Sequence, residues 1–189
     1  PNICKYIDIP LQHINNRILK SMHRGMDGTT TRKLIDTIRQ SLPGVAVRTT
    51  LIAGYPGETD REFNELRDFI EEYRFERLGV FAYSNEEDTG ASKLRDSVSA
   101  KLKTERVDEL MSIQEGISLT LNNAKVGTIL KVLVDREEGD FYIARSEFDS
   151  PEVDNEVLIP VGDKLLSPGS FCNVKISRAE SFDIYGELQ

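Results

Sequence analysis

Apolar positions in the first two-thirds of the chain alternate between two spacings. Residues 3–9 (Ile-Cys-Lys-Tyr-Ile-Asp-Ile), Val45–Ala53 and Leu78–Tyr83 are short β-rich runs, the pattern of buried strands, the first closed by Pro10. Between them apolar residues recur three and four apart, as on one face of a helix: Ile18, Leu19 and Met22; then Leu34, Ile35, Ile38 and Leu42; then Phe63, Leu66, Ile70 and Tyr73. Asn15 and Thr29–Thr31 mark the first two helix starts, and Thr59 with Glu62 three residues on predicts a capping box for the third. Gly25 and Pro43-Gly44 supply the stops. Alternating strand and helix predict parallel βαβ units. The polar stretch Ser84–Ser97 reads as a loop, and Ser99 as the cap of a long helix reaching about Asn123, with Val107, Leu110, Ile117 and Leu121 facing inward.

After Asn123 the pattern changes. Thr128–Val134, Phe141–Ser146, Val157–Pro160, Asn173–Arg178 and Asp183–Leu188 are β-rich, separated by Glu138-Gly139-Asp140, Ser150-Pro151 and Ser167-Pro168-Gly169. This spacing predicts a small five-stranded antiparallel barrel of the OB-like kind. The expected organisation is therefore an α/β partial (β/α) barrel over residues 1–123 and an all-β barrel over 124–189.

Charge sharpens this picture. Of the net −8 of the 189-residue chain, −6 falls from Lys125 onward, 7 Lys and Arg against 13 Asp and Glu. That balance argues against a mainly electrostatic nucleic-acid binder, since phosphate contacts need cations, and suits a basic partner. No run approaches a membrane span and nothing at the start resembles a signal peptide. The chain starts at Pro1, which predicts a beginning inside a longer gene product. Cys4 and Cys172 form no metal-spaced cluster, so both are expected to be buried thiols in a reducing cytoplasm.

Candidate chemistry gathers where strands end. In Arg48-Thr-Thr-Leu-Ile-Ala-Gly-Tyr-Pro-Gly-Glu58, a β-rich strand runs into a glycine turn, and Gly54 and Gly57 leave the backbone open to a ligand. Arg48, inside an otherwise apolar and Thr-rich strand, needs an anionic partner, either Asp8 or a ligand carboxylate. Gln12 suits a ribose or carboxylate, and His13 is a proton carrier or a loop anchor. Phe81 and Tyr83 share a face by alternation and line either an adenine pocket or the core. Glu86-Glu87-Asp88 reads as a solvated loop. Gly54-Tyr-Pro-Gly57 is neither a P-loop nor a dinucleotide fingerprint, and the chain holds no catalytic triad or His/Cys metal set.

Four motifs in this order, Tyr6-x-Asp8-x-Pro-Leu-Gln-His13, Met22-x-Arg24-Gly25, Arg48-Thr-Thr-x-Ile-x-Gly-x-Pro-Gly-Glu-Thr59 and Phe81-x-Tyr83-Ser84, resemble the radical S-adenosylmethionine methylthiotransferases. The C-terminal segment resembles the TRAM domain that ends those enzymes. Pro-Leu-Gln-His13 and the segment Arg145–Asp154 are closer to the branch that adds a methylthio group to an aspartate of ribosomal protein S12 than to the transfer-RNA branch. A binding module without catalysis is the alternative of another class.

The resemblance implies S-adenosylmethionine and two [4Fe–4S] clusters in the full-length enzyme. One cluster cleaves S-adenosylmethionine reductively to begin radical chemistry, and the other supplies sulfur. It implies that Ile52, Gly54, Phe81 and Tyr83 surround adenine and that Arg48 and Gln12 reach the methionine or ribose end. Glu58 falls one residue later than the general pattern, and Thr50 stands where that pattern has Gly. Glu147, Asp149, Glu152 and Asp154 would face the basic ribosomal protein. The family's Cys-x-x-x-Cys-x-x-Cys motif is not among these residues, so the segment by itself is expected to bind no cluster and to be inactive.

Overall fold

A computed structural model describes residues 3–87 and 89–189; Asp88, in the acidic loop run, lies outside the described residues. The chain divides into two compact units. One is Ile7–Gln114, and the other is Glu115–Gln189 with the chain before Ile7.

The first unit is built on a three-stranded sheet in the order β1 (Tyr6–Asp8), β2 (Ala46–Ala53), β3 (Arg77–Ala82). β2 and β3 are parallel, from Arg48 opposite Arg77 to Ala53 opposite Ala82. Central β2 is buried along most of its length, and its one fully buried polar side chain, Thr49, is satisfied by the chain next to it. Its Oγ1 donates to the Ile9 carbonyl at 2.8 Å and accepts from Leu11 N–H at 3.3 Å.

Helices α1 (Asn16–Ser21), α2 (Gly28–Ser41) and α3 (Asp60–Tyr73) separate the strands. Asn15 Oδ1 caps α1, Asp27 caps α2, and the Thr59/Glu62 capping box starts α3. Ile18, Ile35, Leu66, Phe69 and Ile70, all fully buried, form the helical side of the core together with Val47, Leu51 and Phe75.

Three features depart from the sequence pattern. β1 is not a buried strand over residues 3–9. It covers three half-exposed to exposed residues, because an edge strand has a partner on one side only and Ile3–Lys5 lie outside the sheet, exposed. Cys4 is consequently exposed, and Cys172 is half-buried, where burial pushes its thiol up; neither is the buried thiol expected. α1 stops at Ser21, not at Gly25, because His23 takes the left-handed conformation (φ 56°) and closes the helix end.

The buried face of the long helix α4 (Ala100–Asn123) is also not the one expected. Leu110 and Ile117 are buried, but Val107 and Leu121 are only half-buried, and Lys103, Arg106, Gln114, Ser118 and Asn122 occupy the rest of the face. Each long polar member finds a partner: Gln114 Nε2 donates to the Phe75 carbonyl at 2.9 Å, and Asn122 Nδ2 to the Glu180 carbonyl at 2.9 Å.

The second unit is a closed barrel of five strands, β4 (Ile129–Glu138), β5 (Phe141–Ser146), β6 (Glu156–Pro160), β7 (Phe171–Ala179) and β8 (Asp183–Leu188), in the order β4-β5-β6-β8-β7. It is mixed, not wholly antiparallel as expected. The β7–β8 hairpin brings β8 beside β6 in the same direction, with Val157 opposite Ile184. β4 serves two neighbours, β7 through Ile129–Leu133 and β5 through Val132–Glu138, with a register shift between Val134 and Arg136 where the strand bends. Inward alternation of Val132, Val134, Tyr142, Ala144, Val157, Ile159, Val174, Ile176 and Ile184 makes the core. Gly186 is required there, since a Cβ would lie 2.3 Å from Val174 Cγ1 and 2.8 Å from the Lys175 carbonyl oxygen.

Candidate functional site

The turn after β2 is fixed from behind. Gly54 and Gly57 have φ of +76° and +79°, where other residues are strained. The buried Glu58 carboxylate accepts the Gly54 N–H at 3.0 Å and Arg106 Nη1 at 2.7 Å, and Arg106 Nη2 reaches Asp60 at 2.7 Å. His13 Nδ1 accepts the N–H groups of Ile14 and Asn15 at 2.9 and 3.0 Å, which assigns the ring proton to Nε2. Nε2 lies 3.3 Å from Glu58 Oε2, off the line of a good hydrogen bond. His13 and Glu58 thus anchor the loop and the turn.

Gly54 owes its identity to Lys103. A Cβ at position 54 would stand 2.3 Å from Lys103 Cγ, and Gly54 does not line the cavity described next. Lys103, 8% exposed, donates to the Tyr83 carbonyl at 3.2 Å, pairs with Asp96 at 2.6 Å and sits 4.9 Å from the centre of the Tyr83 ring.

At the C-terminal ends of the strands lies a cavity of about 420 Å³ lined by Gln12, Ile52, Tyr55, Phe81 and Tyr83, by Ser21–Arg24, and by the loop residues Ser84, Glu86 and Thr89–Ala91. Gln12 has φ +71°, and its backbone is locked by bonds from its N–H to the Thr50 carbonyl (2.9 Å) and from Ile52 N–H to its own carbonyl (2.8 Å). Tyr83 N–H donates to Ala53 O at 2.9 Å, and its ring meets Tyr55 edge-on at 5.4 Å. Burial, reinforced by Tyr55, Asp96 and Glu86, pushes the Tyr83 hydroxyl up, so it stays a neutral donor to Asn85 Oδ1 at 3.3 Å. Phe81 is 59% exposed.

Four of the six expected cofactor-site residues, Gln12, Ile52, Phe81 and Tyr83, therefore meet around one space, and Gly54 and Arg48 do not. Arg48 Nη1 is bonded to Asp8 at 2.7 Å. Sequence reasoning missed Tyr55, which the glycine turn hid, and Lys103 and Arg106, whose only signal was their 3–4 spacing with Leu110 and Gln114. Arg24 stands in the motif Met22-x-Arg24-Gly25, whose sequence assigns it no task.

Residues 126–188 match the family model for the TRAM domain. Ribosomal protein uS12 methylthiotransferase RimO of Cytophaga hutchinsonii is 53% identical over 187 residues, 99% of this chain and 43% of that protein. RimO of Chlorobaculum tepidum is 53% identical over 188 residues, covering 100% and 43%. Nearly the whole chain is therefore about half identical to part of RimO. It spans less than half the length of these curated RimO relatives. Among solved structures, coproporphyrinogen III oxidase (HemN) from Escherichia coli, described as a radical SAM enzyme, shares the fold with TM-score 0.51 and 16% identity over 76% of this chain and 41% of that one.

Likeness to RimO implies S-adenosylmethionine and iron–sulfur clusters in the full-length protein. The cavity fits the first: an exposed aromatic face, a half-buried apolar wall and strand-end polar groups are what an adenosine needs, and its volume lies in the range of small-ligand sites. The two cysteines do not fit a cluster, which takes several converging thiolates.

The acidic residues of the β5–β6 loop divide. Glu147 and Glu152 are exposed. Asp149, 8% exposed, accepts from the Ser146 hydroxyl, and Asp154 accepts from Tyr6 OH at 2.7 Å and from Ser150 N–H at 2.8 Å. The last two are occupied in holding the loop, so the outward charge expected of all four rests on Glu147 and Glu152.

Proposed function

We propose that this chain is the C-terminal half of a radical S-adenosylmethionine domain (1–123) followed by a TRAM domain (124–189). In the full-length protein it takes part in adding a methylthio group to the β-carbon of an aspartate in ribosomal protein S12, in the cytoplasm where ribosomes are. The observation that carries this reading is the meeting of Gln12, Ile52, Phe81 and Tyr83 around one cavity at the ends of parallel strands.

Bound there, S-adenosylmethionine supplies the radical-generating and methyl-donating chemistry. The chain's own residues bind, orient and shield it. Phe81 offers its exposed ring face to adenine, Ile52 supplies the apolar wall, and Tyr83, held by Tyr55 and Lys103, fixes the far edge. Gln12, its backbone locked in a strained conformation, presents its amide to the ribose. The clusters belong to cysteines outside this segment, so the segment alone is inactive.

The net charge of −6 from Lys125 onward, with Glu147 and Glu152 outward, supports docking of a basic ribosomal protein. One observation favours the transfer-RNA reading: Phe171 is 64% exposed and Lys131 Nζ lies 4.5 Å from its ring centre, an aromatic–cation pair of the kind that receives a base. Titration of the full-length protein with ribosomal protein S12 and with transfer RNA separates the two. Tight RNA binding that weakens steeply with salt rejects the protein-substrate reading.

The cavity assignment is tested by calorimetric titration of full-length protein with S-adenosylmethionine. Phe81→Ala is expected to weaken binding about 5- to 100-fold, the effect of losing one stacking face. Unchanged affinity would reject it.

A further inference from the structure

We propose that Arg24 is the residue that binds a ligand carboxylate in the strand-end cavity, the task the sequence had offered to Arg48. Arg48 has its carboxylate in Asp8, 2.7 Å away, and does not line the cavity. Arg24 does line it and is exposed. One Nη2 hydrogen goes to the Pro10 carbonyl, which tethers the guanidinium, and among the described residues no carboxylate pairs with it. Glu86, the one carboxylate among the described lining residues, makes no ion pair with it either. A tethered guanidinium still has four donors in a planar fork, the arrangement that receives a carboxylate.

The local backbone accounts for the placement. α1 ends in a Schellman-type closure, with His23 N–H donating to Lys20 O at 3.1 Å and Arg24 N–H to Leu19 O at 2.9 Å, and His23 adopts φ 56°. That left-handed residue turns the chain so that Arg24 follows the helix end directly beside the cavity. The motif Met22-x-Arg24-Gly25 thus acquires a chemical reason: the arginine faces a ligand and the residues around it make the turn.

This inference rests on the adenosine reading of the cavity, within which a carboxylate can come from two sources. One is the aminoacyl tail of S-adenosylmethionine. The other is the aspartate side chain of the protein substrate.

The test uses the full-length protein and Arg24→Gln, with Arg24→Lys as the charge-preserving control. Affinities for S-adenosylmethionine and 5′-methylthioadenosine, which keeps the adenosine and lacks the carboxylate, are measured by calorimetry. KM is measured for ribosomal protein S12 carrying the target aspartate or asparagine in its place. If the tail is the source, Arg24→Gln weakens S-adenosylmethionine about tenfold or more and leaves methylthioadenosine unchanged. If the substrate is the source, both nucleosides bind as before and KM rises about tenfold for the aspartate protein only. Arg24→Lys retains most of the affinity in either case.

Loss of methylthioadenosine binding equal to that of S-adenosylmethionine would make Arg24 structural and overturn the proposal. So would no change with any of these ligands. Failure of the unmodified protein to bind either nucleoside would instead overturn the cavity assignment itself.

Discussion

Gly54→Ala tests whether this glycine serves the fold or an approaching ligand. Its φ of +76° costs an L-residue roughly 1–2 kcal/mol. The new methyl would stand 2.3 Å from Lys103 Cγ, 3.1 Å from Cβ and 3.2 Å from Cδ, so the lysine stem must move. Moving it disrupts the 2.6 Å pair with Asp96 and the 3.2 Å bond to the Tyr83 carbonyl, at a cost of about 1–2 kcal/mol for a largely buried ammonium. The expected total is about 2–4 kcal/mol, read as a lower urea midpoint at constant slope in the 189-residue chain. In a Lys103→Ala background the stem is gone and only the backbone strain remains, so the same substitution should cost about 1–2 kcal/mol, a coupling of about 1 kcal/mol or more. Equal costs in the two backgrounds, or a cost below about 0.5 kcal/mol in the native one, would refute the reasoning.

Gly186→Ala should destabilise the barrel by about 3 kcal/mol, because the methyl meets a backbone carbonyl as well as Val174, and thermal unfolding followed by circular dichroism reads it. The Glu62 carboxyl is held down to about 2, first by its bond to Arg17 and, against the opposing effect of burial, by the Thr59 N–H and hydroxyl. A depressed carboxyl stabilises the fold above the unfolded-state value and loses that contribution as pH falls toward 2; the full shift would bound it at about 3 kcal/mol. Because Arg17 is 56% exposed, solvent screening brings this to about 1–2 kcal/mol, so Glu62→Gln should flatten the acid limb of a stability–pH curve between about pH 4.5 and 2 by that amount. A curve as steep as the parent's would contradict it.

Much of this molecule is legible in the sequence where local chemistry decides the outcome. The Thr59/Glu62 capping box, the Asn15 cap and the bounds of β5 and β8 follow from residues a few positions apart. What failed depended on partners distant in sequence. Nothing local in Ile3–Lys5 says that the chain before Tyr6 leaves the sheet. The direction of β8 beside β6 is set by barrel closure, which alternation cannot report. α4 misled because periodicity counts apolar residues, whereas its buried face is held by Lys103, Arg106, Gln114 and Asn122 finding partners 7 to 58 residues away. The candidate site was legible in part for the same reason. Strand alternation placed Phe81 and Tyr83 together, but only the folded chain shows that Asp8 occupies Arg48 and that Lys103 sits behind Gly54.

The decisive question is what occupies the strand-end cavity. Full-length protein irradiated with a photoreactive azido-adenosine form of S-adenosylmethionine, digested and mapped by mass spectrometry, should carry the label on peptides containing Ile52 or Phe81–Tyr83, and unlabelled S-adenosylmethionine should suppress it. Label confined to peptides that line no part of this cavity would contradict it.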